Sequence, residues 1–251
     1  VLNNLDLCGN SSIGSDVDSN GCSLSQKDSD NDGISDDIDQ CYTDVIDSPY
    51  FEVDSQGCRV NYTYIENNII KAYSNTPVGK IDIIGTPDDF FLFKVHDSES
   101  LREDVNNITQ DDIQSGNYFY PVTTFVSDMS YLFASDWNED MPSENIPFLS
   151  LLTGNYPVWD YSNVINMEAM FKQNTQPINI DFSKWDVSNV TNMKLMFYAS
   201  NTALWSITDN PSLFSTWDVS NVTNMEFMFA DQGMQYPYPG QNLFININNW
   251  D

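Results

Sequence analysis

Apolar positions in the second half of the chain follow one recurring spacing, Val-x-x-Met-x-x-Met-Phe. Three copies carry it: Val164, Met167, Met170 and Phe171; Val190, Met193, Met196 and Phe197; Val222, Met225, Met228 and Phe229. Val126, Met129, Leu132 and Phe133 keep the spacing in a degenerate first copy. A period of three to four residues predicts a helical turn with these side chains on one face. Just upstream, Phe182-x-x-Trp185-x-Val187 and Phe214-x-x-Trp217-x-Val219 predict a short strand running into the core.

The two patterns alternate behind a fixed signature. Trp159-Asp160-Tyr161-Ser162-Asn163-Val164, Trp185-Asp186-Val187-Ser188-Asn189-Val190 and Trp217-Asp218-Val219-Ser220-Asn221-Val222 each precede an apolar run, and Trp250-Asp251 opens a further copy. Fixed motifs separated by variable inserts mark stacked repeats. The fold class expected for residues 126–251 is mixed α/β: a leucine-rich-repeat-like solenoid with short parallel strands and helical turns, continuing beyond 251. Methionine columns at this spacing read as core filling rather than a soft-metal surface. Asn163, Asn189 and Asn221 are expected to form a backbone-bonding ladder at the turn after the strand. Glycan attachment at Asn189 and Asn221 is the alternative reading. Asp160, Asp186, Asp218 and Asp251 would lie one above another at the ~4.8 Å strand spacing, where like charges repel. Turn capping is therefore expected of them, in preference to cation binding. The inserts 201–210 and 231–240 are expected to be edge loops, and Trp205, Tyr236 and Tyr238 in them are candidate ligand-binding aromatics.

The repeated Trp-Asp-Val-Ser-Asn-Val-Thr-Asn-Met signature resembles that of BspA-type leucine-rich-repeat surface proteins. The resemblance covers residues 126–251 and implies an extracellular surface protein, often adhesive, without catalytic residues.

The first 58 residues read differently. All four cysteines, Cys8, Cys22, Cys41 and Cys58, lie here among Asp, Ser, Asn and Gly. An even number in so thin a segment reads as a disulfide framework in an oxidising compartment. Of the three possible connectivities, matching contexts favour the sequential one. Val17-Asp18-Ser19-Asn20-Gly21-Cys22 and Val53-Asp54-Ser55-Gln56-Gly57-Cys58 are copies, which makes Cys8–Cys22 and Cys41–Cys58 equivalent. Between the copies, residues 28–39 place oxygen ligands at the spacing a calcium ion needs: Asp28, Asp30, Asp32, the Ile34 carbonyl, Asp36 and Asp39, with Gly33 at the turn. Three aspartates at alternating positions repel one another without a cation. Asp16 and Asp18 copy half of that spacing, but Lys27 occupies the closing position.

Together, the acidic loop, the cysteine that follows it and the Val-Asp-x-x-Gly-Cys endings resemble a thrombospondin type 3 repeat. That resemblance implies a calcium-wrapped segment with little hydrophobic core, stapled by disulfides. It also makes Cys8–Cys22 the tail of a preceding repeat whose acidic loop lies before Val1. Tyr42 stands where the family has proline.

Residues 59–125, between the two regions, are expected to be a linker and an N-terminal cap for the repeats. Strands are expected at 60–64, 80–84 and 90–95, and a helix through Leu101, Val105 and Ile108 behind a capping box at Ser100 and Glu103. His96, beside Asp97, is read as a lone histidine in a charged turn, with a pH-sensing or ligand role as the lesser alternative.

Charge and composition narrow the function. The net charge of −28 leaves no basic footprint for nucleic acid and is repelled by an anionic membrane. No apolar run approaches the ~18–20 residues of a membrane span. A single histidine and no nucleophile–base set argue against an enzyme. The expected protein is extracellular, calcium-stabilised and non-catalytic, with Ca2+ as its ion. Its expected partner is a cell-surface protein, a glycan or copies of itself. A structural subunit of a filament, sheath or stalk is the alternative.

Overall fold

The computed structural model describes residues 6–41, 52–86, 89–116, 118–135, 159–174, 180–200, 213–230 and 250. The chain divides into two compact units. One comprises Val1–Tyr62 with Ile81–Ile83, and the other Thr63–Lys80 with Ile84–Asp251.

The described residues 6–41 and 52–62 of the first unit are nearly free of regular structure, with a 3-10 turn at Leu24–Gln26. Among its described residues the buried ones are glycine, polar or bonded through sulfur: Gly21, Cys22, Ser23, Asp30, Asp39, Gly57 and Asp82. Among these residues covalent staples and side-chain-to-backbone bonds stand in for an apolar core. Both disulfides pair as expected, Cys8–Cys22 and Cys41–Cys58. Arg59 donates to the buried Asp82 at 2.6 Å, and the Tyr62 N–H reaches the other oxygen of Asp82 at 3.1 Å.

The second unit opens with a hairpin, β1 (Thr63–Glu66) antiparallel to β2 (Ile69–Ala72). Asn67 and Asn68 turn it with φ of 52° and 64°, the paired left-handed residues a two-residue hairpin loop demands. A three-stranded sheet follows in the order β3 (Ile81–Thr86), β4 (Asp89–Asp97) and β5 (Tyr120–Phe125). β4 and β5 run parallel, which requires a crossover. That crossover is α1 (Ser98–Asn107) and α2 (Gln110–Ser115). Asp97, not Ser100, is the N-cap of α1: its carboxylate accepts from the Ser100 N–H at 2.9 Å. The capping residue thus lies one turn ahead of the expected Ser100–Glu103 box. Leu101 and Val105 form the buried face of α1. His96 lies in β4 and is buried, not in a charged turn.

The repeats do not form the expected leucine-rich-repeat solenoid. Among the described residues they contain neither a named strand nor an α-helix, and their one regular element is the 3-10 turn Phe182–Lys184. The hydrogen bonds show why. In the second copy, Met170 donates to the Met167 carbonyl (3.3 Å), Lys172 to Ala169 (3.0 Å) and Asn174 to Phe171 (3.1 Å), giving overlapping tight turns. The intervening N–H groups of Met167, Ala169, Phe171 and Gln173 leave the repeat. They donate to the carbonyls of Asn192, Lys194, Met196 and Tyr198 in the next copy at 2.8–2.9 Å. An α-helix would send every N–H four residues back along its own chain. Here alternate donors serve the neighbour, and the backbone takes a left-handed residue at every fourth position. Ala169 and Gln173 have φ of 53° and 55°, and Leu195 and Ala199 have 57° and 51°. Strand pairing shrinks to single parallel bridges, Asp128–Asn166, Asn166–Asn192 and Asn192–Asn224.

The apolar spacing nevertheless selects the core. Met167, Met170 and Phe171 are buried, as are Met193, Met196 and Phe197. Phe133, Phe171, Phe197 and Phe229 stack in a column with centroids 5.4–5.5 Å apart. Tyr161, Trp185, Trp217 and Trp250 form a second column. The indole N–H of Trp217 donates to the Phe182 carbonyl and that of Trp250 to Phe214, at 2.8 and 2.9 Å. Asn163, Asn189 and Asn221 form the expected ladder, donating to the carbonyls of Thr124, Ser162 and Ser188 at 2.7–2.8 Å. α1 meets the first copy: Ser98 Oγ accepts from the Ser127 and Asp128 N–H groups, and Arg102 donates to the Ser130 carbonyl.

Candidate metal centre

Residues 28–39 wind as an irregular loop held by their own carboxylates. The Asp32 and Gly33 N–H groups donate to the two oxygens of Asp28, at 3.2 and 2.9 Å, and the Ile34 N–H donates to Asp32 Oδ1 at 2.7 Å. Gly33 supplies the left-handed step this winding needs, with φ of 93°. One oxygen each from Asp28, Asp30 and Asp32 lie within 4.8 Å of one another. Oxygens on opposite sides of one calcium ion lie about 5 Å apart.

Asp39 closes the loop. Its Oδ1 accepts the Cys41 N–H at 2.7 Å. Asp30 and Asp39 are only 8% and 7% exposed, and Asp30 Oδ2, Asp32 Oδ2 and Asp39 Oδ2 are buried without a hydrogen-bond partner. Burial pushes the Asp30 carboxyl up, and the charges of Asp32, Asp39 and Asp28 add to that push, while a bond from the Asp32 N–H lowers it. Orphaned buried carboxylate oxygens are costly unless a proton or a cation satisfies them. The donor set, hard oxygens from several aspartates, fits a calcium ion.

One of the six expected ligands is engaged elsewhere. Asp36 gives both oxygens to Ser29, accepting its N–H at 2.8 Å and its hydroxyl at 2.7 Å. Lys27 does not neutralise the cluster, since it pairs with Asp18 at 3.7 Å. Asp18 itself is held below the usual carboxylate range by N–H bonds from Cys22 and Asn20.

Gly57 is a site residue that spacing alone did not single out. It comes from the second disulfide loop and has φ of 75°. A Cβ there would meet Asp39 Oδ1 at 2.1 Å and Asp32 Oδ2 at 3.2 Å, so the disulfide-closed turn walls the acidic loop. The first staple repeats the arrangement, a Cβ on Gly21 meeting Asp6 Oδ1 at 2.3 Å. The Cys8 N–H bonds Asp6 as the Cys41 N–H bonds Asp39, and Asp18 and Asp54 each accept two N–H groups of their own Gly-Cys turn. The sequence signal was present in Asp6-x-Cys8 and Asp39-x-Cys41, the front half of the same internal repeat.

The other candidates resolve as follows. Asp160 and Asp186 each accept the N–H and hydroxyl of the serine two residues on, and Asp218 accepts the Ser220 N–H, so the aspartates after tryptophan cap turns. Asp251, Trp205, Tyr236 and Tyr238 lie outside the described residues. Asp111 and Asp112 open α2.

Comparison with known proteins places one family on this chain. The family described as "Mycoplasma protein of unknown function, DUF285" matches residues 96–232, more than half of the chain. The match spans the repeats and supports their reading as a BspA-type surface-protein region. No curated protein and no solved structure matches. The two disulfides are compatible with an extracellular or secreted protein. No helix among the described residues is long and apolar enough to cross a membrane.

Proposed function

The chain belongs to the DUF285 family, and from that premise we propose an extracellular, calcium-stabilised surface protein that recognises a cell-surface protein or glycan without catalysis. The observation that carries the calcium part is the set of orphaned, buried oxygens of Asp30, Asp32 and Asp39 inside a unit whose described residues form no apolar core. A cation there is the folding energy that such a unit otherwise lacks. In this reading the N-terminal unit is a thrombospondin type 3-like segment, and its ligands are Asp28, Asp30, Asp32 and Asp39. The recognition part draws support from the stacked turns. They hold repeated side chains in columns on a rigid aromatic core and leave Tyr131, Ile165 and Phe227 about half exposed.

Two measurements test the reading. Calorimetric titration with calcium should give saturable binding in the wild-type chain and none in an Asp30→Asn, Asp39→Asn double variant. A glycan-array and cell-surface binding screen, run with and without calcium, should find a ligand lost on replacing Tyr236 and Tyr238 by Ala. Absence of calcium binding overturns the first part. A ligand bound equally well after those replacements and after deletion of the repeats overturns the second.

A further inference from the structure

His96 sits where the pairing of β4 and β5 slips, since Val95 faces Val122 but Asp97 faces Phe125. The ring is 1% exposed. Its Nδ1 lies 3.3 Å from Ser100 Oγ on α1, and its Nε2 is buried without a hydrogen-bond partner. That Nε2 is 3.6 Å from Asp104 Oδ2, an oxygen already held by Lys94 Nζ at 2.7 Å. The charged groups bearing on the ring are Asp104 from α1 and Lys94 and Asp97 from β4. β5, with the sequence Tyr-Pro-Val-Thr-Thr-Phe, brings none. α1 also holds the repeats: Ser98 accepts the Ser127 and Asp128 N–H groups, and Arg102 donates to the Ser130 carbonyl.

We propose that His96 is an acid-operated latch: a proton taken up from solvent by its Nε2 makes α1 lift from the sheet and release the first turn of the repeat array. Lifting hydrates the imidazolium, frees the Ser130 carbonyl and uncovers Leu101 and Val105. Burial, opposed by Asp104 and reinforced by Lys94, lowers the closed-state pKa of His96 from 6.5 to about 4. The lifted ring titrates near the ordinary ~6.5. Above that pH both states are neutral and the latch is shut. As pH falls toward 4 the lifted state binds the extra proton and gains population, and below 4 the effect levels off. The opening constant rises by about 300-fold over the window and by about tenfold at pH 5.5.

The chain has one histidine, so its imidazole Cε1–H resonance is unique. An NMR titration of the full chain should place its midpoint near 4 and show a lower midpoint in Asp104→Asn. Hydrogen exchange of α1, corrected for intrinsic rates, should accelerate between pH 6.5 and 4. Phe197 and Ala199, whose amides bond Met228 and Ala230, should stay protected. In His96→Phe and His96→Gln the acceleration should vanish. A midpoint near 6.5, or equal acid loosening of α1 in a variant that folds, overturns the proposal.

Discussion

Asp39 rests against Gly57, so closely that a Cβ on the glycine would lie 2.1 Å from the carboxylate. The contact joins the acidic loop to the turn closed by Cys41–Cys58, and it makes that glycine necessary twice over. An L-residue must also adopt the left-handed φ of 75°, at a cost of about 1–2 kcal/mol. Gly57→Ala should displace Asp39 and weaken calcium binding by at least tenfold in calorimetry. Gly33→Ala, where a Cβ meets nothing within 4 Å, should carry only the backbone cost.

Replacing Cys41 and Cys58 together by Ser should destabilise the N-terminal unit by about 3 kcal/mol in the chain-entropy picture of a short disulfide loop. Urea unfolding followed by exchange of residues 28–39 measures this. The near-ultraviolet signal of the stacked tryptophans should persist, because the apolar core lies in the other unit.

Asn192 donates to Asn166 Oδ1 at 3.1 Å and to Glu168 at 3.0 Å, and its own Oδ1 accepts the Lys194 N–H at 3.1 Å. Asn192→Ala removes all three bonds and should cost about 3 kcal/mol in thermal unfolding, at roughly 1 kcal/mol per bond. Asn192→Asp should cost more, since it keeps the acceptor but sets a carboxylate against two oxygens. At the head of the same column Asp128 is native. It accepts the Asn166 amide and has Arg102 3.8 Å away.

Phe197 is fully buried between Phe171 and Phe229. Phe197→Ala should cost about 3–5 kcal/mol. Phe227 is 58% exposed at a φ of 56°, a conformation costly for a bulky side chain. Phe227→Asn should raise the melting temperature by relieving that strain.

The legible and illegible parts of this fold divide along a physical line. Burial was written in the spacing of Val190, Met193, Met196 and Phe197, because only their side chains decide what leaves water. Backbone hand was not written. Ala169, Leu195 and Phe227 adopt left-handed φ without being Gly or Asn, so no turn residue warned that the period of three to four came from overlapping turns rather than a helix. In the acidic loop, spacing found Asp28, Asp30 and Asp32, which do converge. It could not show that Ser29 captures Asp36, nor that a glycine eighteen residues past Asp39 completes the wall. For His96, charged neighbours in sequence suggested a surface turn, whereas the strand's inward face decided its burial.

Among the described residues, many of the bonds between copies come from one short stretch of backbone, Asn192 through Ala199 and its equivalents. The tryptophans Trp159, Trp185 and Trp217 are unequally spaced, yet Met167 pairs with Asn192 and Met193 with Asn224 in the same register. Such an architecture separates what inheritance must keep from what it can change. A duplicated copy docks on its neighbour through the same alternate N–H groups while the length of its spacer changes, so inheritance can vary the one and keep the other.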